Sequence, residues 1–278
     1  MFNFRGQTFE ELAKNLQKEY ISARPFPHLI IDNAIEVEYL NEVLNEFPDL
    51  SSQVGEGVSR QKSKYKTNNK FATSRGGKML GEKARNLLHY LNSSEFIDFL
   101  QIITGLEESI IPDSHFLGGG YHEIKSGGFL KMHIDFSIHP ETKLDRRLNL
   151  LLYLNKEWEE EYGGHFSLMD FKTKKITKKI LPIFNRMVIF NTNDYTYHGH
   201  PDPLNISNHK SRKSLALYYY SNGRPESESQ RNHNNKFDTI FIPRKGENIG
   251  FKYQTFKFIK RITPPFIFKL KNKLKNIN

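Results

Sequence analysis

Apolar positions follow one rhythm in the first part of this chain and another in its middle. Over residues 8–20 they recur at helical spacing, with Thr8 placed as an N-cap and Glu11 three positions later completing a capping box. Residues 36–46 predict a second helix, stopped near Pro48, and further helices are expected at 79–91 and 94–103. The last of these has Ser93 or Ser94 as its cap and Gly105 as its end. Between the first two helices, the run from Pro25 to Asp32 reads as a short buried strand entered through prolines that forbid helix. Residues 51–78 are polar, rich in Lys, Ser, Asn and Gly, and nearly aperiodic; they are expected to be a long loop, either a lid or disordered.

From about residue 114 the texture changes to short β-rich runs separated by turn residues. These fall at 115–124, 129–135, 148–154, 164–169, 175–181, 187–191, 195–200 and 213–221. Such a series predicts an all-β sandwich or barrel rather than alternating strands and helices. The run 150–154 is apolar on both faces, so one face should fill the barrel while the other lies under the preceding helices. The expected class is therefore α+β with a mainly β core. N-terminal helical support would span about 1–112 and the core about 113–222, within one domain of 1–250. A basic helical tail, 251–278, is expected to follow.

Hydrophobic residues make up only 37% of the 278, but 22 Phe and 13 Tyr supply large buried areas. The chain has no Cys, which excludes disulfides and thiolate ligands and leaves His and carboxylates for any metal. No apolar run approaches the roughly 20 residues of a membrane span, and the first 20 residues lack the apolar centre of a signal peptide. A cytoplasmic location is expected. The formal charge of +10 is local: 251–278 holds eight Lys and Arg and no acidic residue, leaving +2 elsewhere. No specific nucleic-acid partner is expected from that remainder. The tail itself reads as a helix docked through Phe266, Leu270 and Leu274, with contact to an anionic surface or membrane as the alternative.

The candidate chemistry is split along the β-rich half. His133 and Asp135 are two apart in a strand, so both side chains face one way, as chelation from one strand requires. Alone, such a pair is a weak signal and reads equally well as a surface turn. It gains weight from His198, in Tyr197-His-Gly-His-Pro201, which follows the run 187–191 and precedes the strand beginning near 213. In a jelly roll the first pair follows the second core strand and the distant histidine lies on the seventh, which is the order here. His200 has the same parity and is the alternative third ligand, or a polar residue of the rim. Two imidazoles and one carboxylate leave about half of an octahedral ferrous ion open, the facial arrangement of non-haem oxygenases. Arg212 opens a strand on which Arg212, Ser214, Ala216 and Tyr218 share one face and Lys213, Leu215 and Leu217 the other. A guanidinium forks onto a carboxylate, a hydroxyl two residues on adds a third bond, and the buried charge needs an anion to enter with it.

Other positions carry two readings each. Gly163-Gly164 marks a bulge or a close backbone approach, and His165 after it is either a site contact or a structural histidine. Trp158 and Tyr162 line a pocket mouth or simply pack, and Tyr153 reads as core.

The stretch from about Pro112 to Tyr220 resembles the prolyl 4-hydroxylase-like branch of the Fe(II)- and 2-oxoglutarate-dependent oxygenases. The resemblance is carried by Gly118-Gly-Gly-Tyr-His-Glu-Ile-Lys-Ser-Gly-Gly-Phe-Leu-Lys-Met-His-Ile-Asp135 and Arg146-Arg-Leu-Asn-Leu-Leu-Leu-Tyr-Leu-Asn155. Trp158 with Tyr162-Gly-Gly-His165, Phe190 with Tyr197-His-Gly-His-Pro-Asp202, and Arg212 to Tyr220 continue it in order. The resemblance implies a double-stranded β-helix of jelly-roll, cupin-like form, with helices packed on one sheet. It implies Fe(II), 2-oxoglutarate and O2, with ascorbate as a reductant. His133, Asp135 and His198 would be the iron ligands, Arg212 the anchor of the C5 carboxylate, and Ser214 its assistant. The tyrosine that family members place before the first ligand falls here on Ile124, so Tyr121 is the nearest candidate for that role. The interval from His198 to Arg212 implies an extended loop at 203–209 that could contact substrate. The implied activity is hydroxylation of an unactivated C–H, of a prolyl or other amino-acid residue, peptidyl or free. The alternatives are the same chemistry on a saccharide, lipid or other small molecule, and a jelly-roll binding module without catalysis.

Overall fold

The computed structural model describes residues 6–55, 57–63, 67–74, 79–229 and 236–243. The chain divides into two units, Met1–Ile242 and Pro243–Asn278, and every element below belongs to the first. The tail expected at 251–278 lies outside the described residues.

Helix α1 (Phe9–Ser22) begins as its sequence dictates: the Thr8 side chain accepts from the Glu11 backbone while the Glu11 carboxylate accepts from the Thr8 N–H at 2.9 Å. Strand β1 (His28–Asp32) and helix α2 (Val37–Asn45) follow. Helices α3 (Glu82–Tyr90) and α4 (Ser94–Thr104) complete the helical layer. Ser93 is the cap of α4, accepting from the Phe96 N–H, and Gly105 ends it in the left-handed conformation.

Residues 51–78 are not one long loop. They include β2 (Val58–Ser63) and β3 (Thr67–Thr73), paired with each other, and β3 also pairs with β5 (Gly120–Ile134). The expectation failed because β3 buries Thr67, Lys70 and Thr73 along with Phe71 and Ala72, and its register shifts between Asn68 and Lys70, so no apolar alternation marks it. Similarly, the runs 115–124 and 129–135 are one strand, β5, from Gly120 on. It turns at Gly127, whose φ of +67° is open to glycine, and continues into the opposite wall. Between β4 (Ile111–Pro112) and β5, residues 113–119 are turn and bridge rather than strand.

The remaining strands are β6 (Asp145–Tyr153), β7 (Phe166–Met169), β8 (Ile176–Ile180), β9 (Arg186–Asn191), β10 (Tyr197–His200), β11 (Arg212–Ser221) and β12 (Ile240–Phe241). Their order is β1-β9-β6-β11-β5-β10-β7-β8. The first half of β5 pairs with β11 (Ile124 opposite Arg212) and the second half with β10 (His133 opposite His198). The sheet thus curls into two facing walls joined through β5, a double-stranded β-helix.

Strict alternation assigns the two faces. Leu148, Leu150 and Leu152 of β6, Met187 and Ile189 of β9, and Leu215, Leu217 and Tyr219 of β11 enter one core with Leu12 of α1 and Phe96, Phe99 and Ile103 of α4. The Tyr219 hydroxyl donates to the Leu91 carbonyl at 2.8 Å, tying sheet to helix. The intervening residues, among them Tyr153, Val188 and Phe190, turn inward with Phe166 and Leu168 of the facing wall. The doubly apolar strands of the sequence are explained by this sandwiching between helices and barrel interior.

Candidate active site

At one end of the interior lies a cavity of about 80 Å³ whose lining includes His133, Asp135, His198, Arg212 and Ser214. Among the described residues, His133, Asp135 and His198 form a group whose donor atoms all lie within 4.8 Å of one another. Register brings them together: His133 and His198 are direct partners across β5 and β10, with ring centroids 4.4 Å apart. Asp135 lies just beyond the end of β5. Its Oδ1 is 3.4 Å from His133 Nε2 and its Oδ2 is 3.4 Å from His198 Nε2.

Each imidazole is fixed through its other nitrogen. His133 Nδ1 donates to the Lys131 carbonyl at 2.8 Å and His198 Nδ1 to the Thr196 carbonyl at 3.1 Å. A carbonyl can only accept, so both Nε2 lone pairs are left facing Asp135. Burial opposes the charge on Asp135, but Arg146, with the two histidines, holds its carboxyl well below the usual carboxylate range. Burial and the neighbouring His198 lower the value of His133, keeping it neutral. Donors about 2.1 Å from a common ion and at right angles are ~3 Å apart, close to the separations here. Two imidazoles and one carboxylate therefore fit a single divalent metal of the ferrous kind.

Asp135 is oriented by two residues of β6. Arg146 Nη2 lies 3.0 Å from its Oδ2, and the Asn149 amide donates to the same oxygen at 2.8 Å. Arg146 Nε in turn donates to Asn149 Oδ1 at 2.8 Å, and its guanidinium lies 3.6 Å from the centre of the Tyr218 ring. Sequence alternation would send Arg146 and Asn149 to opposite faces. A register shift opposite Tyr219 and Tyr220 changes the phase, so that both point inward while Arg147 leaves toward Glu108.

Arg212 is buried, with its Nε donating to the Gly164 carbonyl at 2.8 Å and its Nη2 to the Tyr153 hydroxyl at 3.3 Å. Gly164 has φ +71°, and a Cβ there would lie 3.0 Å from Arg212 Cδ. Gly164 of the pair is thus a close approach of backbone to guanidinium. Burial pulls the Arg212 value down, with Tyr153 opposing. Ser214 lines the same cavity, as strand alternation required.

Several expectations do not hold. Tyr121 is directed away from the cavity: it pairs with Leu215, belongs to the helix-side core, and its ring lies 4.3 Å from that of Phe47. The parity of β5 decides this, because Ile124 and His122 are the inward residues. Tyr153 is core as expected, but its hydroxyl also steadies Arg212. Lys213, on the other face of β11 from Arg212, donates from its ammonium to Ser211 Oγ at 2.7 Å beside the Phe47 ring. His165 is bound by Glu160 at 2.8 Å and does not line the cavity. Trp158 and Tyr162 pack edge to face over Ile124, Leu204 and Ile206, and the loop carrying the last two is pinned by bonds to Ser126, Gly127 and Gly128. His200 is buried in the cavity wall, and neither ring nitrogen has a hydrogen bond among the described residues. Lys70 and His122, which sequence reading passed over, also line it.

Residues 119–220 match the 2OG-Fe(II) oxygenase superfamily. The matched stretch, 102 of the 278 residues, contains His133, Asp135, His198, Arg212 and Ser214. Prolyl 3-hydroxylase OGFOD1 of Mus musculus is 29% identical to this chain over 86 residues, 30% of its length. That match spans only 15% of the mouse protein's length. A prolyl hydroxylase of Trichoplax adhaerens, solved with a peptide fragment of hypoxia inducible factor, superposes with a TM-score of 0.56 at 21% identity. It covers 79% of this chain and 92% of its own. Prolyl 4-hydroxylases of Phytophthora capsici (TM-score 0.52, 18% identity, 85% and 76% covered) and Pseudomonas putida (0.50, 13%, 76% and 99%) share the fold. The oxygenase fold found by superposition is the one the strand order describes.

Proposed function

We propose that this oxygenase hydroxylates a prolyl or other residue of a peptide, using Fe(II) held by His133, Asp135 and His198, with Arg212 and Ser214 seating the C5 carboxylate of 2-oxoglutarate. The observation that carries the reading is the convergence of the three donors in one buried cavity with Arg212 on its wall. Bound iron with 2-oxoglutarate and O2 supplies the oxidising power for an unactivated C–H. The protein's part is geometric. His133 and His198 present fixed Nε2 atoms, Arg146 and Asn149 keep Asp135 ionised and aimed, and Gly164 and Tyr153 hold Arg212 in place for a carboxylate fork. Phe166 and Phe190 in the cavity lining help exclude water. A peptide substrate is favoured by the peptide found with the Trichoplax relative.

The test is succinate formation from 2-oxoglutarate with Fe(II) and ascorbate, with peptide and small-molecule fractions screened by mass spectrometry for the gain of one oxygen atom. Turnover should vanish in His133→Ala. Turnover that survives in that variant would move the metal elsewhere, and oxygen found only in the small-molecule fraction would exclude the peptide.

A further inference from the structure

Strand register puts two cations on either side of one apolar residue. Ile124 of β5 pairs with Arg212 of β11 on one side and with Lys70 of β3 on the other. All three line the cavity, so the row Lys70–Ile124–Arg212 forms one patch of its wall. Ile124 has no polar atom to offer, and it occupies the place where family resemblance expected a tyrosine. The next row of the same strands has His122 opposite Ser214 and Ala72.

Lys70 is 9% exposed and Arg212 5%. Burial lowers the Lys70 value to about 8, with Asp135 opposing and Arg212 adding to the fall. The carboxylate that favours its charge is already engaged by Arg146 and Asn149. Arg212 spends its Nε and Nη2 on Gly164 and Tyr153, leaving Nη1 for a ligand. His200 adds a ring with no hydrogen bond among the described residues. Two buried cations and an unpartnered imidazole around one cavity are costly without an anion among them.

We propose that Lys70 is a second anchor for the distal carboxylate of 2-oxoglutarate, reaching it from the strand across Ile124 from Arg212. Lys70 takes over the hydrogen bond that the missing tyrosine would supply and adds a charge to it. It is a positioning and binding residue delivered by β3. The inference rests on Arg212 being the co-substrate's seat.

The experiment is calorimetric titration of the full chain loaded with Zn(II), which binds without turnover, using 2-oxoglutarate and 2-oxopentanoate. The second ligand shares the metal-binding end and lacks the distal carboxylate. The wild type should prefer 2-oxoglutarate. Lys70→Met should weaken 2-oxoglutarate by about tenfold or more, the loss of a charged hydrogen bond, and leave 2-oxopentanoate within about twofold. Lys70→Gln, one bond shorter and uncharged but still a hydrogen-bond donor, should retain thermal unfolding like the wild type and show an intermediate loss confined to 2-oxoglutarate. Equal losses for both ligands, or none for 2-oxoglutarate, would overturn the role of Lys70. A wild type that binds the two alike would overturn the seat at Arg212 itself, and Lys70 with it.

Discussion

Arg146 and Asp135 form a buried ion pair, Nη2 to Oδ2 at 3.0 Å, with Asn149 bonded to both partners. The pair decides the charge of the carboxylate that completes the donor set. Removing one partner of a buried pair typically costs about 3–5 kcal/mol, because the other charge is left without compensation. Arg146→Met should therefore destabilise the metal-free protein by an amount of that order and weaken Zn(II) or Mn(II) binding about 10- to 100-fold. The pH dependence has a definite sign. Asp135 titrates far below its unfolded value of about 3.9, so its contribution is present above that pH and is lost as pH falls. The stability gap between wild type and Arg146→Met should be largest near neutrality and shrink toward pH 3 in urea titrations. A gap constant with pH would remove Arg146 from this role.

Gly164 and Gly163 offer a paired test of why the glycines are there. Both have positive φ, +71° and +69°. A Cβ at Gly164 would meet Leu204 Cδ2 at 2.6 Å and Arg212 Cδ at 3.0 Å, whereas at Gly163 it meets only the Pro203 carbonyl at 3.9 Å. Gly163→Ala should cost about 1 kcal/mol of backbone strain. Gly164→Ala should cost more and displace Arg212, raising the KM for 2-oxoglutarate several-fold while leaving the iron requirement unchanged. Equal effects from the two substitutions would mean that strain alone explains the pair.

Much of this arrangement was legible in the sequence, and the parts that were not share a cause. Helix caps at Thr8 and Ser93, the strand order, and the spacing that brings His133, Asp135 and His198 together all depend on local or period-two patterns. Arg212 and Ser214 were readable for the same reason. What escaped were residues whose facing depends on pairing partners. Lys70 lies on a strand whose buried residues mix polar and apolar side chains across a register shift, so it looked like loop. Arg146 turns inward only because of the shift opposite Tyr219 and Tyr220, and Tyr121 turns outward because β5 keeps Ile124 and His122 in the cavity. A bulge or an edge pairing leaves no periodic trace in one chain.

His122 should govern part of the acid response. Burial, followed by the charge of Lys70, holds it down to about 3, and it sits neutral with Nε2 donating to the Gly118 carbonyl at 2.8 Å. A histidine depressed below its unfolded value of about 6.5 contributes stability above that pH and loses it as pH falls toward its folded value. His122→Gln should flatten the stability profile of the metal-free protein between pH 6.5 and about 4. In Lys70→Met the His122 ring should titrate at higher pH, followed by NMR of the imidazole protons. An unmoved titration would show that Lys70 does not reach it.

Phe241 is the residue of the last described strand that touches the metal-site side chains. Its ring stacks on His133 at 5.2 Å and 27°, and its backbone pairs with that residue across β5. The Ile242 N–H donates to the Met132 carbonyl at 2.9 Å, so the segment is tied down on both sides of the stack. The hydrogen bond from His133 Nδ1 to Lys131 fixes the imidazole about one axis, and the Phe241 ring limits its tilt about the other. Phe241→Ala leaves the hydrogen bond and removes the wall. Zn(II) affinity should fall by about threefold to tenfold, less than for Arg146→Met, because no charge is uncompensated. Phe241→Leu fills the space without stacking and should recover most of the loss if packing is what matters. If Leu and Ala behave alike in competitive metal titration, the aromatic face itself orients His133; if neither changes affinity, the stack has no part in holding the metal.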